Sequence, residues 1–378
     1  MYVKNIRLSN FRNYDNLSAE FENNINIFYG NNAQGKTNLL EAMFLCAFGR
    51  SHRPAKDNEL VEFGGQGYTV SAEIEGAYGS PTIDISSQKG EKKSIRLNGI
   101  PVKKLGEMMG TLRIVMFAPE DLLMIKEGPG ERRKFLDMSI SQIKPTYFYD
   151  LQKYLKVLEQ RNNLLREMVE NPKLSDTLCI WDSALTESGA RIIAARDAFI
   201  KRLSGNALAR HSALTEDGEN LEMRYLPSIR AENMEDIDEI RDLFNKLLER
   251  SRDREQKMGA TLSGPQRDDF EVYVNGKDVK SFGSQGQQRA AVLSIKMAEI
   301  DIIKEETDEV PVLLLDDVMS ELDKKRRDYL IKGISGVQTF ITTTDKRIFK
   351  NLKNKDISYY NVTEGILKKD KKRPSKGS

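Results

Sequence analysis

Histidine, cysteine and tryptophan are nearly missing from this chain of 378 residues, which has two, two and one of them. Two histidines, His52 and His211, are too few for a histidine-based metal centre and make a Ser-His-Asp triad a poor reading. Cys46 and Cys179 are far apart and lack metal-ligand spacing. Each sits in an apolar stretch, so both are expected to be buried thiols in a reducing compartment. No apolar run approaches the ~20 residues of a membrane span. The opening Met1-Tyr2-Val3-Lys4-Asn5 has no secretory apolar core. A cytoplasmic protein without a membrane partner is expected. Neither sign of charge dominates: 59 basic against 57 acidic residues leaves +2. Residues 368–378 carry six basic residues and one acidic, or +5, so the remainder is 2 − 5 = −3. A nucleic-acid partner must therefore meet local patches rather than bulk charge. The basic end itself reads as a solvated, disordered tail.

What is present is more informative. Gly30-Asn31-Asn32-Ala33-Gln34-Gly35-Lys36-Thr37 fits G-x-x-x-x-G-K-[ST], the phosphate-binding loop of P-loop NTPases. Its surroundings agree. Ile25 to Tyr29 alternates like a strand, and Thr37 to Phe48 is apolar at helical spacing. Glycines at 30 and 35 let backbone N–H groups turn toward an anion, and the helix that follows adds its positive dipole end. Lys36 is expected on the β- and γ-phosphates of ATP, and the Thr37 hydroxyl on Mg²⁺.

Around the loop, strand alternation is expected over Val3–Leu8, Phe21–Phe28, Tyr68–Glu75, Ser80–Ser86, Ser94–Leu97 and Arg113–Phe117, with a hairpin turn at Asn98-Gly99. From about Glu131 to Glu255 the pattern becomes helical, with an apolar stripe through Leu151, Tyr154, Leu155, Leu158, Leu165 and Met168 that stops at Asn171-Pro172. Helices are also expected over Leu185–Leu214 and Glu235–Lys257. Strands return at Phe270–Val274, Val312–Leu315 and Thr339–Thr342. The expected organisation is one α/β head from residues 1–130 and 259–367, a helical lobe over 131–258, and the tail from 368.

Val312-Leu313-Leu314-Leu315-Asp316-Asp317 is an apolar strand ending in two carboxylates, where open α/β sheets place ligands. Asp316 is expected to support Mg²⁺ and Asp317 to orient or deprotonate the attacking water. Between the two motifs, Gly283-Ser284-Gln285-Gly286-Gln287-Gln288 opens a helix that Ser284 can cap.

The order of P-loop, Ser284-Gln285-Gly286-Gln287-Gln288, Leu313-Leu314-Leu315-Asp316-Asp317 and Ser320-Glu321-Leu322-Asp323 resembles an ABC-type ATPase head, with its signature, Walker B and D-loop motifs. The resemblance implies an α/β fold, a mixed sheet with an antiparallel β subdomain, and a mainly helical insertion. More closely, the chain resembles the RecF family of bacterial recombination-mediator ATPases. The resemblance rests on Asn5 to Tyr14, Gly30 to Asn38, Pro119-Glu120-Asp121-Leu122, Arg132 to Asp137, Gly264 to Asp269 and Thr342-Thr343-Thr344-Asp345. These segments span the chain.

The resemblance implies ATP-dependent homodimerisation, binding to single-stranded or gapped DNA, and action with RecR and RecO to load RecA in fork repair and the SOS response. By position, Gly30, Asn31, Asn32, Ala33, Gln34, Gly35, Lys36 and Thr37 would cradle the nucleotide. Arg12 and Asn13 would reach its phosphates. Ser284, Gly286 and Gln287 would contact it from the other copy, and Asp323 would lie at the dimer seam. Arg132-Arg133-Lys134, Lys103-Lys104 and Lys324-Lys325-Arg326-Arg327 are the candidate DNA-phosphate clusters.

Departures from the general ABC pattern argue for slow hydrolysis. Gly283 and Gln285 replace leucine and glycine, and Asp317 replaces a glutamate. The 342–345 segment has no histidine, and no glutamine adjoins Pro119. Two other readings use the same site. One is a structural clamp that binds ATP without turnover. The other is a transporter ATPase subunit, which the gap of about 250 residues between P-loop and signature disfavours.

Overall fold

The computed structural model describes residues 1–53, 57–216, 218–349 and 357–370. The chain forms two compact units, Met1–Pro119 with Ile303–Ser378, and Glu120–Ile302.

The first unit holds two six-stranded sheets. One is antiparallel, ordered Tyr14–Glu20, Tyr2–Phe11, Gly67–Glu75, Thr82–Gln88, Ser94–Leu97, Ile100–Pro101. Its strands have one wet face. In Gly67–Glu75, Tyr68, Val70, Ala72 and Ile74 are buried while the residues between them are not. At Asn98-Gly99 both residues take positive φ, 53° and 77°, as a two-residue hairpin requires. The other sheet runs Ile366–Lys369, Ile357–Thr363, Ile25–Tyr29, Thr339–Thr343, Val312–Asp316, Ile114–Phe117, and is parallel apart from the terminal hairpin. Val312–Asp316, Thr339–Thr343 and Ile114–Phe117 are buried at every position, which explains their unbroken apolar or threonine-rich runs. The helix Lys36–Phe48 is buried along nearly its whole length.

Two expectations shift here. The strand read from Phe21 begins at Ile25, because Asn24 N–H turns back to Glu22 O. The tail read from 368 starts later. Lys368 and Lys369 belong to the last strand, Lys369 pairs with Glu22 at 2.9 Å, and Asp370 accepts from Tyr29 Oη at 2.8 Å. The rest of the tail, 371–378, lies outside the described residues.

The second unit packs the helices Pro129–Ile143, Pro145–Glu167, Leu178–Thr215 and Ile237–Met258 around a three-stranded antiparallel sheet, Lys277–Asp278, Asp269–Val274, Leu221–Leu226. The helix Gln285–Thr307 begins in this unit. Residues 120–130 and 259–302 therefore group with the helices, whereas the sequence reading had assigned them to the head. The reason is register: Asp269–Val274 pairs along its full length with Leu221–Leu226. Two segments that carried the family resemblance meet inside this unit. Arg132 donates to Asp269 (2.5 and 2.9 Å), Arg133 to Asp268 O (2.9 Å), and Arg196 joins Asp137 (2.7 Å) to Pro265 O (2.6 Å). Arg161 is fully buried between Asp182 and Glu255, at 2.7 Å from each. Cys46 is buried, but Cys179 is exposed near the start of its helix, against expectation. Trp181 packs, partly buried, against the helical core.

Candidate nucleotide-binding site

The P-loop leaves the strand Ile25–Tyr29 and enters the helix Lys36–Phe48. Its glycines are required twice over. Gly30 and Gly35 have φ of 156° and 109°. A Cβ on Gly30 would stand 2.3 Å from Val362 O, and one on Gly35 2.6 Å from the Asn13 amide. The loop is pinned from two sides. Asn13 Nδ2 donates to Gln34 O (3.0 Å) and the Tyr14 hydroxyl to Gly35 O (3.0 Å). From the C-terminal hairpin, Glu364 N–H donates to Gln34 Oε1 (2.8 Å). Burial pushes the Tyr14 phenol well up, so it stays a donor.

Lys36 is only 8% exposed, and its ammonium donates to Gly30 O and Asn31 O, both at 2.7 Å. Burial lowers its pKa, while Asp317 and then Asp316 pull it back up. Thr37 Oγ1 donates to Asp316 Oδ1 at 2.8 Å. Thr342 ties this acidic strand end together: its hydroxyl donates to Asp316 Oδ1 (2.7 Å) and accepts from Asp317 N–H (2.9 Å). Asp317 adopts φ 52°, a left-handed conformation that aspartate tolerates better than most residues. Its Oδ1 is buried and has no hydrogen-bond partner among the described residues.

These features fit a nucleotide with its cation. The two glycines let the loop take the tight curl that turns backbone N–H groups toward an anion, Lys36 supplies a buried cation, and Asp317 holds a buried acceptor in reserve. Among the described residues no cluster of three or more His, Cys, Asp and Glu is placed to hold a metal. The donor set Thr37 and Asp316 suits a hard cation that takes its remaining ligands from phosphate and water.

Arg12, expected at the phosphates, is bound elsewhere. It forms a two-pronged pair with Glu41 (2.8 and 2.7 Å) and donates to Glu59 O (2.9 Å). Glu41 is a fully buried carboxylate in the P-loop helix and requires such a partner. Burial raises the Glu41 pKa, but Arg12 and Ser51 outweigh it and hold the carboxyl below its usual range. Sequence reading missed Glu41, Tyr14 and the role of Thr342.

Ser284, Gly286 and Gln287 lie in the second unit at the start of the helix Gln285–Thr307. Ser284 and Gln287 form a reciprocal cap: Gln287 N–H donates to Ser284 Oγ (3.2 Å), and Ser284 N–H donates to Gln287 Oε1 (3.0 Å). Asp323 caps the helix Lys324–Gly333, accepting from Arg326 N–H at 2.9 Å. Of the candidate DNA clusters, Arg132 is removed by its buried pair with Asp269, whereas Lys103, Lys104, Lys324 and Lys325 are exposed.

A P-loop, an acidic strand end one strand further along the same sheet and tied to it through Thr37, and a capped helix start carrying Ser284-Gln285-Gly286-Gln287 are the parts of an ABC-type ATPase head. The RecF/RecN/SMC N-terminal domain model matches residues 2–368. A RecF DNA replication and repair protein of Acetivibrio thermocellus is 52% identical, covering 97% of this chain and 99% of that one. That of Ruminiclostridium cellulolyticum is 48% identical with the same coverage. A solved structure of the recombination mediator protein RecF with ATP, from the RecFOR pathway, superposes with TM-score 0.91 at 40% identity, covering 98% of this chain and 97% of that one. An Smc head bound to the C-terminal winged-helix domain of ScpA shares the fold at 16% identity and TM-score 0.56. The chain belongs to the RecF family of DNA replication and repair proteins. Among the described residues no helix is long and apolar enough to cross a membrane.

Proposed function

We propose that the protein is an ATP-operated DNA clamp of the cytoplasm, working with RecR and RecO to support RecA loading at gaps in fork repair and SOS induction. Two copies close on ATP, each lending Ser284, Gly286 and Gln287 to the nucleotide held by the other's P-loop. Asp323 lies at that seam, and DNA with single-stranded or gapped character binds by its backbone to exposed basic clusters such as Lys103-Lys104 and Lys324-Lys325. Lys36 and the loop N–H groups bind the phosphates. Thr37 and Asp316 would hold Mg²⁺, which neutralises phosphate charge when bound. Asp317 positions the attacking water, and Asn13 braces the loop.

The observation that carries this reading is the Thr37–Asp316–Thr342–Asp317 arrangement, with its buried, unsatisfied Asp317 oxygen. Hydrolysis is slow and serves release, because Asp317 is one methylene shorter than glutamate and the 342–345 segment lacks a histidine. The missing histidine also favours, as a second reading, a clamp that binds ATP without turnover.

Size-exclusion chromatography with light scattering tests the assembly. A dimer is expected only in ATP-Mg²⁺, and it should be absent in Lys36→Met and Ser284→Arg. A monomer under every condition would sink the clamp. Asp317→Asn should cut turnover by about 100-fold while prolonging the dimer. An unchanged dimer lifetime would favour the turnover-free reading.

A further inference from the structure

Gln287 is not left to orient itself. Its side-chain Nε2 donates to Glu219 Oε1 at 2.8 Å, while its Oε1 accepts the Ser284 N–H at 3.0 Å. Glu219 lies in the loop after the long helix Leu178–Thr215. Its second oxygen faces His211 Nε2 at 3.1 Å. His211 is fully buried near the end of that helix, and its Nδ1 faces Ser294 Oγ at 3.1 Å. With Nε2–H donating to the Glu219 carboxylate, a neutral ring presents Nδ1 as an acceptor to the Ser294 hydroxyl, which also lies 2.8 Å from Ala290 O. Gln287 and Ser294 are seven residues, or about two turns, apart on the signature helix, and so share a face. Glu219 and His211 thus grip that face at two points.

We infer that Glu219, backed by His211, is a positioning residue that fixes which end of the Gln287 amide faces a nucleotide. The two partners of the amide demand one orientation. Flipping it would set Oε1 against the Glu219 carboxylate and cost the Ser284 N–H its acceptor. In the enforced orientation Nε2 retains a second N–H, a donor suited to an anionic or hydroxyl-bearing ligand. With Glu219 removed, the amide can turn and present an acceptor instead. The structural role needs no ligand. The consequence for assembly rests on the proposed clamp, in which Gln287 meets nucleotide bound by a second copy.

Two readouts separate these layers. The first is backbone hydrogen exchange in the nucleotide-free protein. Glu219→Ala should speed exchange across 283–290 about fivefold by loosening the reciprocal cap, with exchange in the P-loop unchanged. Glu219→Gln keeps one acceptor and should restore most of the protection. The second is the dimer dissociation constant in saturating ATP-Mg²⁺, measured beside ATP affinity in dilute protein. Glu219→Ala should weaken the dimer about tenfold, Glu219→Gln much less, and neither should alter ATP affinity. Unchanged exchange at 283–290 in Glu219→Ala would overturn the positioning role. Altered exchange with an unaffected dimer would overturn its nucleotide consequence. Altered exchange in Glu219→Ala, together with a wild-type protein that never dimerises, would uphold the positioning role and sink the clamp instead. Glu219 is 23% exposed, so its variants are expected to fold.

Discussion

Lys36 and Asp316 are each 8% exposed, one opening the buried helix after the P-loop and the other ending a buried parallel strand, whereas Ser284 stands in solvent at a helix start. The candidate nucleotide-binding residues of the first unit are placed by backbone. Strand register puts Asp316 beside Thr342, and two positive-φ glycines set the loop. Those of the second unit are placed by side chains, through the Ser284–Gln287 cap, Glu219 and His211. Such a difference separates two kinds of failure. On the proposed function, damage to the first should remove ATP binding outright. Damage to the second should leave binding intact and impair what binding is for.

The contrast can be broken most severely through the second unit's core. Arg161→Ala strands the buried Glu255 carboxylate without its cation, leaves Asp182 with Arg252 at 3.6 Å, and should cost about 4 kcal/mol of that unit's stability. Urea unfolding followed by Trp181 emission would measure it. If ATP affinity of the folded variant fell in parallel, the two units would not be separable as argued. Next, Lys36→Met should weaken ATP binding at least ~100-fold, about 3 kcal/mol, by calorimetry, through loss of its charge-assisted phosphate contacts. The unfolding midpoint should barely move, since among the described residues Lys36 hydrogen-bonds to two loop carbonyls and no others. Smallest is Ser284→Ala, which removes one side of a reciprocal cap worth about 1 kcal/mol. It should leave ATP affinity in dilute protein unchanged and weaken the dimer severalfold. An effect on ATP affinity as large as that of Lys36→Met would erase the distinction.

The parts of the site legible in the sequence are contiguous ones. The P-loop carries its strand, glycines and helix within about 25 residues, and Leu315-Asp316-Asp317 carries its strand and carboxylates together. Asn98-Gly99 and Asn275-Gly276 likewise announce turns that the chain makes with positive φ at all four residues. What escaped were contacts that join distant segments. Nothing near Arg12 in sequence reveals that Glu41 holds it, and nothing near Gln287 points to Glu219. Thr342 lay in a segment already noted, yet its bridge between Asp316 and Asp317 depends on strand register. The domain boundary was drawn too early because alternation at Phe270–Val274 reads as a strand but not as a partner of Leu221–Leu226.

The strand before the P-loop, Ile25–Tyr29, is hydrogen-bonded on one side to Thr339–Thr343 and on the other to Ile357–Thr363. During synthesis it therefore emerges with both edges bare, and more than 300 residues must follow before either neighbour exists. The segment Glu120–Ile302 is continuous and contains its own sheet, so it can close while the phosphate loop is still waiting. Unpaired edges of this kind are where nascent chains aggregate. A premature stop after Thr37 and before residue 339 would leave every P-loop residue in the product and no folded P-loop.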